Sequence, residues 1–281
     1  MTIIQLKGFL LQILNLIGTN KMIQTTLNGS NLPVLQSQFL LKEAGIVHFS
    51  TMRGDVDGSP YSKYNLCSYS GDNKEHVETS RRAFADCLGI SLDRMWFPRQ
   101  VHGTNILVVD SSIPDDQVAD AVITHEPYLL IGVSTADCVP VVLYDPKNRT
   151  IAAIHAGWRG TIAEITKKTV ERFCEVSGGY ASDILAMVGP SISPFAFEVG
   201  AEVADIFVQE GYGECVIDGY EKPHIDLWKA NEMQLIASGV SSSNIDCTPM
   251  CTYGNFDRLF SARRLGIKSG RIVSAIMLVE K

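Results

Sequence analysis

Five short apolar runs crowd the middle of the chain: Ile106–Val109, Ala121–Thr124, Leu129–Val133, Val139–Tyr144 and Ile151–Ile154. Each is too short for a helix and rich in β-branched residues, so each reads as a strand. Helical patterns flank and interrupt them. His76–Leu88 places Val77, Phe84 and Leu88 on one side and stops at Gly89. Thr161–Val176 carries Ile162, Ile165, Phe173 and Val176 at helical spacing, and Ala201–Glu210 and Asp226–Ser238 read as further helices. Leu185–Val188 and Ile272–Val279 add two more strands. Clustered strands, with helices that interrupt rather than alternate, predict an α+β or mixed α/β fold and not a doubly wound parallel sheet.

The chain has 281 residues, near the length of about 250–300 at which a single core stops growing. One large domain or two small ones both fit. Net charge is −7 and no basic patch is visible, so no nucleic-acid partner is expected. No GxGxxG or Walker-type phosphate loop occurs. The seven cysteines are odd in number and irregularly spaced, without CxxC. That argues against a disulfide framework and for a cytoplasmic location. Gly8–Gly18 is apolar but interrupted by Gln12 and Asn15, too short to span a membrane, so no membrane association is expected. Residues 1–21 are treated as an uninformative extension, with Met22 a second candidate start. Nothing in the sequence sets the oligomeric state.

Three short islands carry the chemistry. They are Gln100-Val101-His102-Gly103, Thr135-Ala136-Asp137-Cys138 and His155-Ala156-Gly157-Trp158-Arg159-Gly160, each at the edge of an apolar run. One thiol and two imidazoles are the protein share of an open zinc site, whose fourth position is left to water or substrate. Taken singly, a free Cys at a strand start is more often a small buried hydrophobe, and a His at a strand end is often only hydrogen-bonded. The separations are long, so the fold must assemble the site. Asp137 is a candidate acid–base group only if the strand begins after it, because neighbours on a strand point to opposite faces. Arg159 stands before an expected helix start, where free N–H groups favour anions; a surface arginine beside a simple turn is the equally weighted alternative.

In this order, QVHG, TADCVPVVLYD and HAGWRGT resemble the signatures of the YfiH or laccase-domain family. Ala119-Asp120-Ala121, Gly189-Pro190-Ser191, Phe197-Glu198-Val199-Gly200 and Phe260-Ser261 with Arg263-Arg264 agree, over roughly residues 45–281. The resemblance implies a single domain over 22–281, with mixed β-sheets flanked by helices. It implies zinc on His102, Cys138 and His155, which would also be the catalytic residues. It further implies phosphorolysis of adenosine, inosine and methylthioadenosine, with adenosine deaminase activity, so purine nucleosides and phosphate are the expected partners. Candidate substrate contacts are Asn65, with Arg53, Arg159 or Arg263 for phosphate; the sequence does not choose among the arginines. The chain departs from the family at Met52, which displaces Arg53 by one position. It departs again at Ser191, Phe195 and Ala196, where cysteines are usual, and at Ala262, where tyrosine is usual.

Two other chemistries fit the same residues. Copper binds such ligands more tightly than zinc, so a copper-loaded polyphenol oxidase is one, although the six histidines of the chain are too few for a multicopper laccase. A metal-free Cys–His hydrolase or amidase, with Cys138 as nucleophile and His155 or His102 as base, is the other.

Overall fold

The computed structural model describes residues 22–55, 58–112, 117–247 and 249–280, so the expected extension over 1–21 lies outside the described residues. Two mixed six-stranded sheets organise the chain. The first runs β1 (Met22–Thr26), β2 (Pro33–Ser37), β3 (Ile46–Thr51), β14 (Ile272–Leu278), β7 (Leu130–Thr135), β4 (Met95–Trp96). The second runs β13 (Ile245–Cys247), β10 (Leu185–Val188), β8 (Val139–Asp145), β9 (Thr150–Ala156), β6 (Ala121–Thr124), β5 (Ile106–Val108). Neighbours are antiparallel except β4 with β7, β10 with β13 and β5 with β6. A two-stranded ribbon joins β11 (Val216–Ile217) to β12 (His224–Ile225).

The runs of β6 to β9 are almost wholly apolar because these strands are buried at every position, on both faces, whereas β5, at the edge of its sheet, is half-buried. On β9, Ile151 and Ala153 pack with Ile131, Val133 and Ile276 of the other sheet, while Ala152 and Ile154 pack outward. Val142 and Tyr144 of β8 face inward in the same way, and Val139, Val141 and Leu143 face out. Helices cover the outer faces. α1 (Lys74–Leu88) sets Phe84 against Phe49, Val273 and Ala275 of the first sheet. The Asn73 side chain caps it by accepting from the Glu75 and His76 amides. Over the second sheet lie α2 (Trp158–Ile162), α3 (Ile165–Ser177) and α5 (Leu227–Ala237), with α4 (Ala201–Gln209) beside them. α6 (Ala262–Leu265) is a single turn before β14.

The helix expected over 161–176 is broken. It is α2 and α3, with Glu164 between them at φ 59°. The Thr161 carbonyl, which a continuous helix would hold, accepts from Gln234 Nε2 of α5 at 2.7 Å. Asn231 bridges the Thr161 and Thr166 hydroxyls, so a buried polar network satisfies the break. The spacing of apolar residues carries no trace of it. The short strands β1, β2, β4 and β13 likewise had no sequence signal; β4 is two residues long. No described helix is long and apolar enough to cross a membrane.

Candidate metal centre

β8 and β9 pair with Val139 opposite Ala156 and Pro140 opposite His155. His155 shares the inward parity of Ile151 and Ala153, so it points between the sheets at their edge, where it is 3% exposed. Cys138 lies one residue before β8, in the tight connection from β7. His102 comes from the loop before β5. Its Nε2 is 3.7 Å from Cys138 Sγ, and its ring meets His155 edge-on at 4.8 Å between centroids. One ligand atom from each of the three lies within 4.8 Å of the others.

Asp120 builds this geometry. It is fully buried just before β6. One oxygen accepts the His102 amide at 2.9 Å and His155 Nδ1–H at 2.8 Å; the other accepts the Gly103 amide at 2.7 Å and that of Val101 at 3.3 Å. A concavity of successive amides around an anion requires unusual backbone, and His102 sits at φ 60°. A carboxylate that fixes the Nδ1–H tautomer leaves Nε2 as the ligand atom and orients the ring. In the sequence Asp120 carries no mark of this role beyond its place in Ala119-Asp120-Ala121, directly ahead of the apolar run Ala121–Ile123.

Gly157 supplies the room. A Cβ there would stand 2.8 Å from His102 Cδ2 and 3.1 Å from Cys138 Sγ. At Gly160 a Cβ would press the Gly103 carbonyl at 3.3 Å. The two glycines thus let the His102 loop lie directly on the start of α2.

The electrostatics follow from this arrangement. Burial opposes ionisation of Cys138, but the charge of His155 and hydrogen bonds from both imidazoles outweigh it and bring the thiol down to about 6. Burial also opposes protonation of His155, and there Cys138 and Asp120 win, raising it to about 9. Burial would raise the Asp120 carboxyl, yet His155 and the amides hold it below the ordinary range. The donor set fits a tetrahedral ion. Bonds of about 2.0–2.3 Å place donors about 3.5 Å apart, and thiolate with imidazole suits zinc or copper.

The three donors open onto a cavity of about 530 Å³, a size that suits a small organic ligand. Its wall includes Tyr69, Phe197, Ile192 and Ile267, and the cationic Arg263 and Arg271. Of the expected substrate residues, only Arg263 lines it. Arg53 does not: it is buried, donates to Ser62 Oγ and the Phe256 carbonyl, and packs over Phe260. Asn65 is buried too, holding Ser70 and Asp72 and accepting the Arg271 amide at 3.1 Å. Arg159 is exposed and stacked on Trp158 at 4.3 Å, on a helix of five residues. Asp137 lines the cavity, and β8 does begin after it, but its oxygens accept Thr252 Oγ1 and the Arg263 amide, each at 2.7 Å. Arg271, which the sequence reading missed, precedes β14 with no local mark of function.

The chain matches the family described as multi-copper polyphenol oxidoreductase laccase over residues 46–279. It is 41% identical over 259 residues to a purine nucleoside phosphorylase of Bacteroides thetaiotaomicron, covering 87% of this chain and 96% of that protein. It is 42% identical over 246 residues to adenosine deaminase RL5 from an unknown prokaryotic organism, covering 83% of this chain and 94% of that protein. Among solved structures, YlmD from Geobacillus stearothermophilus superimposes with a TM-score of 0.84 at 27% identity, covering 93% of this chain and all of that one. With the three motifs, the sandwich and the His–Cys–His cluster in place, the chain belongs to the YfiH or laccase-domain family.

Proposed function

We propose that this protein is a zinc-dependent purine nucleoside phosphorylase that also deaminates adenosine. The observation that carries the reading is the convergence of His102, Cys138 and His155 on one cavity, oriented by Asp120, in a chain so similar to a phosphorylase and a deaminase. His102, Cys138 and His155 would hold the ion, which supplies a Lewis acid and an open coordination position when bound. Asp120, bonded to Nδ1 of His155, would leave Nε2 free for the ion, and Cys138 ionises readily because His155 lies beside it. Ile192, Phe197, Ile267 and Tyr69 offer a purine the apolar wall it needs.

In phosphorolysis, a phosphate oxygen bonds to ribose C1′ as the C1′–N9 bond breaks. The bonding pair leaves with the purine, and the proton of hydrogenphosphate ends on the base. In deamination, water adds its oxygen at C6 and ammonia departs. Cytoplasmic residence is part of the same proposal, supported by seven cysteines outside any disulfide.

The test is inosine turnover by zinc-loaded protein, with and without phosphate, beside Cys138→Ala. Phosphate-dependent release of hypoxanthine and ribose 1-phosphate, lost in the variant, is expected. Absence of turnover in protein carrying about one zinc per chain overturns the reading. A second reading, the metal-free Cys–His hydrolase, is favoured by the low-lying Cys138 thiol 3.7 Å from His102 Nε2. A covalent acyl adduct on Cys138 in metal-free protein would establish it. The copper oxidase reading needs dioxygen uptake by copper-loaded protein.

A further inference from the structure

We propose that Arg263 and Arg271 form an oxyanion subsite in the metal cavity, and that it takes the free orthophosphate consumed in phosphorolysis. The inference rests on the phosphorylase reading for the identity of the anion, but its geometry stands on separate residues.

Both arginines line the same cavity as His102, Cys138 and His155, and each is held in place by neutral acceptors. Arg263 directs two of its five N–H donors, from Nη1 and Nη2, to the Glu198 carbonyl at 3.1 Å, and its guanidinium lies 5.5 Å from the Phe197 ring centre. Arg271 folds back on the loop before β14 and donates to the carbonyls of Ile267, Ser269 and Gly270. Donors remain on both guanidiniums, three on Arg263 and two on Arg271 by the same count.

Neither guanidinium pairs directly with a nearby carboxylate. Glu198 turns its carboxylate to Lys222 Nζ at 3.0 Å, and Asp137 gives both oxygens to the Thr252 hydroxyl and the Arg263 amide. Among the described residues, neither cavity arginine makes an ion pair within 4.0 Å. Both guanidiniums thus keep free N–H donors at the mouth of the cavity, beside Phe197 and Ile192. Guanidinium is the side chain whose fork fits a tetrahedral oxyanion. The other arginines expected to meet phosphate fail on placement: Arg53 is enclosed, and Arg159 lies off the cavity wall.

Two sources could supply such an anion, free orthophosphate or the 5′-phosphate of a nucleotide, and the experiment separates them. Steady-state kinetics are measured on zinc-loaded wild type, Arg263→Met and Arg271→Met, varying phosphate and inosine independently, with adenosine deamination followed in parallel. Isothermal titration with inorganic phosphate alone accompanies them. The expected result is a KM for phosphate raised about tenfold to a hundredfold in each variant, with the KM for inosine moved far less. Deamination consumes no phosphate, so the ratio of phosphorolysis to deamination falls at least tenfold.

Equal changes in both KM values, or no change in either, overturn the subsite. So does preferential loss of turnover of a nucleoside 5′-monophosphate with the phosphate KM intact. If wild type shows no phosphate-dependent turnover, the phosphorylase reading fails, and the titration still decides the subsite: phosphate binding lost in the variants sustains it, and its absence in wild type removes it. If Arg271→Met fails to fold because its loop carbonyls lose their donors, Arg263→Met decides alone.

Discussion

Each sheet of the sandwich buries a histidine, and the two behave in opposite ways. His48 on β3 is 1% exposed, and His155 on β9 is 3% exposed. Burial pushes His48 down to about 4, and the hydrogen bond it accepts from the Ser37 amide marks it as a neutral acceptor. The same burial at His155 is overridden by Cys138 and Asp120, which raise it to about 9. Burial alone makes a histidine a structural group. A carboxylate at Nδ1 gives His155 a fixed direction, and with Cys138 beside the ring makes it a candidate ligand.

Removing that counter-charge should have the largest effect. Asp120→Asn turns an amide N–H₂ toward donors that need an acceptor, either His155 Nδ1–H or the amides of 101–103. Zinc affinity, measured by chelator competition, should fall about 10–100-fold, and thermal stability should fall with it. Retention of wild-type affinity would remove Asp120 from the site. Gly157→Ala attacks the other arm. Its Cβ would stand 2.8 Å from His102 Cδ2 and 3.1 Å from Cys138 Sγ, with no atom of His155 among the nearest contacts. Metal affinity, measured by chelator competition, should drop about tenfold; wild-type affinity would show that the site needs no room at Gly157.

The pH dependence of stability should separate the two histidines in metal-free protein. His48 has a folded pKa below its unfolded value, so its contribution is complete above about 6.5 and is lost as pH falls toward 4. A shift of this size is worth about 3 kcal/mol. His48→Gln should flatten the acid limb of a chemical-denaturation series between those pH values and leave zinc binding unchanged. His155 has a raised pKa, so its contribution is complete below about 6.5 and is lost as pH rises through about 9. That alkaline limb should flatten in Asp120→Asn and persist in His48→Gln. The smallest effect is expected at Arg159. With its guanidinium stacked on Trp158 and off the cavity wall, Arg159→Ala should leave the phosphate KM within about twofold; a tenfold rise would return it to the site.

Much of this architecture was legible beforehand. The central runs became β5 to β9 with boundaries within two residues; in β6 to β9 burial on both faces demands the apolar run, while the edge strand β5 was legible from its β-branched residues alone. The helices at 74–88, 201–209 and 227–237 were legible from periodicity and end signals. His102, Cys138 and His155 stood out because unusual residue types were embedded among small ones. Arg53 and Arg159 drew attention through motif position alone, and the structure sets both away from the cavity.

The sequence by itself determined which segments are strands and which side chains could bind a metal, because periodicity and donor chemistry are local properties. Only the tertiary structure decided that Asp120, 18 residues from His102 and 35 from His155, holds both of them. It alone decided that Gly157 makes room for a ring from a distant loop, and that Arg271 rather than Arg53 reaches the cavity. Hydrogen bonds and close approaches act over a few ångströms in space, and two stacked sheets bring together residues whose separation along the chain carries no record of that proximity.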